Sequence, residues 1–165
     1  MQTFNGRYSG TIDGDFVIFL IGARLNRLRA LGAFLPIARA MGRMQAELLK
    51  DPSHGCLHIE NWFGRNTMSV QYWRSFEHLE TYSRRPDLEH LPAWADFNRR
   101  VRDNGDIGIW HETYLVSAGR YEAIYGNMHC FGLAAAGEHV KLGRQSTAAL
   151  RSGTRAEDSA PVDGY

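Results

Sequence analysis

Residues 15–22 read DFVIFLIG, and this short run constrains the fold more than any other part of the chain. Its residues are β-branched or aromatic and are apolar at both alternating positions, which predicts a strand that is buried on both faces. A layer of helices can cover only one face of the sheet that contains this strand. The fold therefore needs helices on one side of the sheet and a second apolar cover on the other.

The segments after this strand alternate between helical and extended patterns. Apolar residues recur at helical spacing from Arg27 to Lys50, and Pro36 predicts a kink or a break in that helix. In chain order, the next predicted elements are a hairpin (56–63 and 67–74), a helix from Ser75 to about residue 85, a helix from Pro92 to about Asp103, and a strand (107–116).

This β-α-β-β-α-β order, with a second helix in two pieces, predicts the α+β fold called ferredoxin-like. Packing the open face of its sheet against a second copy would form a dimeric α+β barrel, so we expect a homodimer. Residues 134–165 are rich in Ala, Gly, Ser, Thr and scattered charge. We expect one domain over residues 1–133 and a low-complexity C-terminal tail over 134–165.

Composition restricts the partners and the compartment. The formal charge of +1 arises from 19 basic and 18 acidic residues, and neither sign forms a long block, so we expect no nucleic-acid partner and no membrane partner. A small-molecule substrate fits this balance better. Cys56 and Cys130 form neither a metal-spaced pair nor a disulfide framework, which indicates a cytoplasmic protein.

The stretch GIWHETY (108–114) places two chemically capable residues side by side in a predicted strand. Alternation sends His111 and Glu112 to opposite faces, so only one of them reaches a cavity. We expect His111 to be the functional member, as a general base or an iron ligand, because imidazole changes its protonation near neutral pH. The alternative is structural: a buried histidine with its hydrogen bonds satisfied and an ion-paired Glu112.

Other polar residues lie among aromatic ones and predict a pocket for a small hydrophobic molecule with one polar group. A polar sheet face open to water is the alternative for the hairpin residues, and a solvated histidine at a helix end is the alternative for His90. Tyr121 and Tyr125 are candidate proton donors or covers of the cavity mouth. The predicted pocket residues are His58, Glu60, Gln71, Trp73 and Trp94, with His90 at the rim.

Three stretches resemble a known family: YWRSFEHLETYSRRPDLEHLPAWADFNRRV, GIWHETY and YEAIYGNM. In their order they resemble the small monooxygenase family typified by the fumagillin-pathway monooxygenase, which is similar to antibiotic-biosynthesis monooxygenases. The likeness covers about residues 10–135. It implies a dimeric α+β barrel with a cavity between the sheet and the broken helix. The site positions it implies are His90, Trp94, His111, Glu112, Tyr121 and Tyr125. The chain departs from the family at His129-Cys130, where a proline-containing turn is expected, and this leaves a lid at that point in doubt.

Proteins of this barrel type divide by cofactor, and the resemblance therefore leaves the chemistry open. Some oxidise electron-rich substrates with O2 alone, whereas others, such as aldoxime dehydratases, hold heme b through one histidine. We expect a monooxygenase-like oxidoreductase acting on a small, largely apolar molecule, with His111 as the iron ligand if heme is bound. A heme-dependent dehydratase and a non-catalytic dimer that binds a small molecule or heme are the alternatives.

Overall fold

The computed structural model describes residues 1–101, 104–143 and 147–153, with the backbone alone at Arg100. It divides into two compact units. Residues 17–114 form the first, and residues 1–16 with the described residues from 115 onward form the second. In chain order the strands are β1 (Arg7–Thr11), β2 (Phe16–Leu25), β3 (Cys56–Trp62), β4 (Met68–Trp73), β5 (Ile107–Val116), β6 (Tyr125–Gly126) and β7 (Glu138–Lys141). The helices are α1 (Leu31–Lys50), α2 (Phe76–Arg84), α3 (His90–Val101), α4 (Leu133–Ala136) and α5 (Ala148–Arg151).

The first unit confirms the predicted ferredoxin-like fold. Its four strands have the order β3-β4-β2-β5, and β4 is antiparallel to both of the strands beside it. The helix α1 connects β2 to β3, and the pair α2 and α3 connects β4 to β5. This is the split β-α-β arrangement, in which each of two crossovers carries helices.

The strand register assigns side chains to the two faces of this sheet. Gln71 of β4 is paired with Ile59 on one side and with Phe19 on the other, so these three side chains share a face. Val70 is paired with Glu60 and Leu20, which share the opposite face. Ile59 and Gln71 are buried. The helices therefore cover the face that carries Gln71.

Two apolar clusters hold the helices to that face. Trp73, which is 1% exposed, is the largest member of a cluster in which the sheet meets α1 and α2. A second cluster joins the end of β2 and the start of β5 to α3. The buried members of the first cluster are Val17, Leu48, Cys56, Ile59, Trp73, Leu79 and Tyr82. Those of the second are Leu25, Ala30, Val101 and Ile107.

The helix boundaries correct two expectations. α1 runs continuously from Leu31 to Lys50 with Pro36 inside it, so the proline does not split the helix. α3 begins at His90 rather than at Pro92. Pro92 is tolerated in the first turn of α3 because the first backbone N–H groups of a helix have no acceptor within it. The predicted end of this helix at Asp103 lies outside the described residues.

The second unit differs from the expectation of a tail without a core. β1 lies between β6 and β7 in a three-stranded antiparallel sheet, and Leu133 and Ala134 of α4 are buried. A Cβ atom at Gly10 would lie 2.5 Å from the backbone nitrogen of Ala134, which shows how closely the two backbones pack. Glycine and alanine make this contact. The sequence from residue 134 onward therefore contains few large apolar residues, and its packing was not predicted. The remainder of the expected tail, at 144–146 and 154–165, lies outside the described residues.

No helix among the described residues is both long and apolar enough to cross a bilayer.

Candidate functional site

A cavity of about 300 Å³ lies in the first unit between the sheet and the helices α1 and α3. Most of its lining is apolar. The larger apolar and aromatic side chains that line it are Phe34, Ile37, Met41, Met44, Trp62, Phe63, Met68, Trp94, Phe97 and Ile109. Such a volume and lining suit a small, mainly apolar molecule.

The polar side chains of the lining are mostly engaged by the protein itself. Asn61 and Ser69 both bind the amide of Gln45, with bonds of 2.9 Å and 3.1 Å from Gln45 Nε2. Thr67 Oγ1 accepts from the backbone N–H of Ala23 at 3.0 Å and donates to its carbonyl at 3.1 Å. The carboxylate of Asp96 pairs with Arg99 at 2.6 Å. These groups therefore have little remaining capacity to form hydrogen bonds with a ligand.

His90 is the exception, because its hydrogen bond leaves one ring nitrogen available. Nδ1 lies 2.8 Å from the backbone oxygen of Ser83, which can only accept, so Nδ1 carries the proton and donates. In the neutral ring Nε2 then has the lone pair. His90 lines the cavity, and among the described residues no hydrogen-bond partner occupies its Nε2. The arrangement gives an apolar cavity one oriented base.

A hydrogen-bond network that is partly buried fixes the start of α3, where His90 lies. Glu47 of α1 accepts a hydrogen bond from the hydroxyl of Tyr82 at 2.8 Å and another from the backbone N–H of Glu89 at 3.1 Å. The Glu89 carboxylate in turn pairs with Arg43 at 3.0 Å. Burial and the bond to Glu47 raise the pKa of Tyr82 far above its ordinary value, so this phenol stays protonated and donates. All three helices thus meet at the residue before His90.

The predicted pair in GIWHETY lies away from this cavity. Neither His111 nor Glu112 is among the residues that line it, and both side chains are exposed. The ring of His111 lies 5.6 Å from that of Phe19, on the face that the helices cover. Glu112 points to the opposite face, where it accepts from the hydroxyl of Tyr114 at 2.5 Å. Alternation is confirmed, and neither member lines this cavity.

The predicted pocket residues of the hairpin do not face one space. Gln71 and Trp73 are buried under the helices, and the indole N–H of Trp73 donates to Gln71 Oε1 at 3.0 Å. His58 and Glu60 lie on the opposite face, with His58 Nε2 at 2.9 Å from Glu60 Oε1. The grouping was wrong because the hairpin register pairs Gln71 with Ile59, and not with Glu60. Trp94, by contrast, lines the cavity, stacked on Phe97 at 5.6 Å.

The two tyrosines predicted as proton donors belong to the second unit. The hydroxyl of Tyr121 accepts from the backbone N–H of Ile12 at 2.8 Å and donates to the carbonyl of the same residue at 3.0 Å. Tyr125 accepts from the backbone N–H of Ala134 at 3.4 Å. These contacts join distant parts of the unit, so both residues have structural roles in the fold.

Sequence reasoning missed the residues that build the site. Met41 was part of the helical stripe of 27–50, which predicted only a helix, and neither Met44 nor Glu47 was singled out. One signal could have located Glu47. It follows Met44 by three residues and precedes Leu48 by one, which places its side chain at the border of the apolar stripe.

Comparison with known proteins agrees with this architecture. The family described as Monooxygenase af470-like matches residues 16–133. The chain belongs to that family. A curated relative, Monooxygenase af470 of Aspergillus fumigatus, is 30% identical over 136 residues, which are 76% of this chain and 46% of the relative. The chain thus spans about half the length of that relative.

A solved structure shows the same fold. A crystal structure of an aldoxime dehydratase superimposes with a TM-score of 0.64 at 18% identity, over 82% of this chain and 42% of that one. SnoaB, a cofactor-independent oxygenase from Streptomyces nogalater, superimposes less closely, with a TM-score of 0.43 at 13% identity, over 61% of this chain and 91% of its own. At these identities the likeness concerns the fold alone.

Proposed function

We propose that this chain is the substrate-binding and catalytic part of a monooxygenase-type oxidoreductase, in which the cavity holds a small apolar molecule and His90 is its general base. The observation that carries the proposal is the fixed tautomer of His90, with Nδ1 donating to Ser83 and Nε2 left for the cavity. Membership of the Monooxygenase af470-like family supports the reaction type.

The lining indicates which substrates the cavity accepts. No lysine or arginine is among the described residues that line it, and the lining carboxylate of Asp96 is already paired with Arg99. A phosphate or a free carboxylate would therefore enter without a cation to balance it, which is unfavourable in an apolar site. Aromatic and methionine side chains adapt to flat or irregular hydrocarbon. The substrate that fits is uncharged and apolar, with one acidic C–H or O–H group.

A base in such a cavity is sufficient to start a reaction with O2. Nε2 of His90 removes a proton from an activated methylene, and the carbanion gives an electron to O2. The resulting radicals combine to form a peroxide on carbon. Loss of water leaves a carbonyl group, so that one methylene and one molecule of O2 give one ketone and one molecule of water. The substrate supplies all four electrons, and the protein supplies the base, the orientation and the exclusion of water.

The lining does not fit heme, which we expected from the sequence as one possibility. His90 has a suitable nitrogen for iron. The two propionates of heme, however, would meet no lining cation among the described residues, and the guanidinium of Arg99 is already paired with Asp96. His111, the predicted ligand, is not part of the lining.

We further propose that the first unit associates with a second copy of itself through the sheet face that the helices leave open. That face carries Ile18, Leu20, Val70 and Tyr72, which are half-buried in the single chain. An apolar sheet face of this kind is a natural site for a two-fold contact. Sedimentation velocity at micromolar concentration tests this: a stable monomer contradicts it.

The proposed chemistry is tested by oxygen uptake. Anthrone is a suitable probe, because it is uncharged and flat and has one acidic methylene. We expect the protein to accelerate O2 consumption and to yield the diketone and water. A parallel absorption spectrum after purification with heme supplied distinguishes the alternatives. A Soret band that shifts with cyanide would contradict the cofactor-free proposal and favour a heme enzyme. Tight anthrone binding without O2 uptake would favour a non-catalytic binding protein.

A further inference from the structure

An exposed apolar surface lies where the start of α1 meets the turn of the β3–β4 hairpin. We call it the α1–hairpin surface, and its members are Leu28, Leu31, Leu35, Trp62 and Phe63. All five side chains are substantially exposed, with Phe63 at 88% and Leu28 at 75%. Single exposed apolar residues are common on proteins, but a group of this size marks an interaction site.

Three observations show that these residues belong to one surface. Arg65 donates from its guanidinium to the carbonyls of Leu25 and Asn26, at 3.0 Å and 2.9 Å, which holds the hairpin turn beside the segment that leads into α1. Leu31 and Leu35 are four residues apart and so lie on the same side of the helix. Trp62 and Phe63 line the same cavity as Phe34, the residue before Leu35 in α1.

Positive charge surrounds this surface. Arg39 and Arg65 are exposed, and neither of them forms an ion pair with a carboxylate of the described residues. Arg27 and Arg29, on either side of Leu28, share the carboxylate of Asp106, at 3.0 Å and 3.6 Å. Among the described residues, one carboxylate therefore partly balances these four guanidinium groups. Arg39 follows Leu35 by one helical turn, so its guanidinium group lies on the same side of α1 as Leu31 and Leu35.

We propose that the α1–hairpin surface docks on a membrane that contains anionic lipid. Leucine, phenylalanine and tryptophan side chains that insert shallowly, surrounded by arginines that reach the headgroups, are the features of interfacial binding. Lipid fits better than an acidic protein, because Trp62 and Phe63 belong both to this surface and to the cavity wall. An apolar substrate dissolved in lipid would then enter directly, and this last step rests on the proposed function.

The proposal differs from the sequence expectation of no membrane partner. That expectation came from the absence of a long block of basic residues. The arginines at 27, 29, 39 and 65 are separated along the chain, and the contacts of Arg65 bring the hairpin turn beside the segment that leads to Arg27 and Arg29.

Co-sedimentation with vesicles tests the docking. We expect the full chain to bind vesicles of phosphatidylcholine with phosphatidylserine and to bind vesicles of phosphatidylcholine alone far less. Phe63→Ser should weaken binding about tenfold, since one large apolar side chain no longer inserts. The matched control is Leu49→Ser, at the other end of α1, where Leu49 is 56% exposed. Leu49→Ser should leave binding unchanged.

The arginines are tested separately. Replacing Arg29 and Arg39 together with glutamine should weaken binding to the anionic vesicles more than tenfold, since each cation near the surface contributes about fivefold. Arg74→Gln is the control, because Arg74 is also exposed but lies at the end of β4, outside the surface. Thermal unfolding of each variant verifies that it is folded.

The outcomes separate this proposal from the proposed function. Failure to bind either kind of vesicle, or equal effects of Phe63→Ser and Leu49→Ser, would overturn the docking surface. Oxygen uptake with anthrone in detergent micelles needs no docking. Vesicle binding without oxygen uptake would therefore support the surface and contradict the chemistry, and oxygen uptake without vesicle binding would do the reverse.

Discussion

Nδ1 of His90 lies 2.8 Å from the backbone oxygen of Ser83, and this contact joins the first residue of α3 to the last turn of α2. It determines which ring nitrogen keeps the lone pair. The residue before His90 is held independently, since the N–H of Glu89 donates to Glu47. The position of the candidate base therefore depends on α1 and α2 as much as on α3.

The Glu47 network predicts a defect that separates catalysis from binding. Glu47→Ala removes the acceptor of the Glu89 N–H and leaves the hydroxyl of Tyr82 only the more distant carbonyl of Met44 at 3.4 Å, at a cost of about 1–3 kcal/mol in the free energy of unfolding. We expect kcat to fall with KM nearly unchanged, because the cavity remains while His90 moves. Urea denaturation and oxygen-uptake kinetics measure the two effects.

Two further variants control this prediction. Glu47→Gln retains an acceptor oxygen and should recover most of both losses. Glu80→Ala removes another carboxylate, one that pairs with Arg84 at 2.8 Å on the surface of α2, and should change the free energy of unfolding by less than about 0.5 kcal/mol. Equal effects of Glu47→Ala and Glu80→Ala would contradict a positioning role for Glu47.

Gly22 is predicted to be intolerant of any side chain. A Cβ atom there would lie 2.1 Å from the backbone oxygen of Thr67 and 2.6 Å from Nε1 of Trp110. Gly22→Ala should therefore lower the free energy of unfolding by about 3 kcal/mol through overpacking. Gly42→Ala in α1 meets no atom within 4 Å and should raise it by up to about 1 kcal/mol, because alanine favours helix. Urea denaturation of both variants shows whether the sheet at Gly22 is packed as closely as these distances indicate.

The buried thiol of Cys56 predicts a loss of stability at high pH. Burial raises the pKa of Cys56 from 9.0 to about 12, so folding favours the protonated thiol. Its contribution is complete below pH 9 and is lost as the pH rises through 12. The unfolding free energy of the wild type should therefore fall more steeply than that of Cys56→Ala between about pH 9 and pH 11. Cys130→Ala should follow the wild type, and parallel curves for all three proteins would show that Cys56 titrates normally.

The sequence predicted the order of elements in the first unit well, because each of these elements has a local cause. Ser75 accepts from the N–H of His78 at 3.4 Å and so begins α2 where the capping pattern placed it. The strand from Ile107 to Val116 has the predicted bounds, since its β-branched and aromatic residues follow a turn that contains glycine.

The site could not be predicted in the same way, because it depends on register and on packing between helices. A shift of one residue in the pairing of the two hairpin strands moves a side chain to the other face of the sheet. The prediction from sequence contained such an error, because it assigned Gln71 and Glu60 to the same face. His90 was recognised as a candidate, but its tautomer depends on a carbonyl seven residues earlier, across a helix boundary. The positions of His111 and Glu112 in their strand did not indicate that the cavity is bounded by α1 and α3 and does not include either residue.

The choice between His90 and His111 is the most direct test of the proposed site. Oxygen uptake with anthrone should be measured with an oxygen electrode for the wild type, His90→Gln and His111→Gln, after circular dichroism has shown that all three are folded. Removal of a general base lowers rates by about a hundredfold or more. The account predicts that loss for His90→Gln and a rate close to wild type for His111→Gln. Full activity in His90→Gln, or its loss in His111→Gln alone, would contradict it.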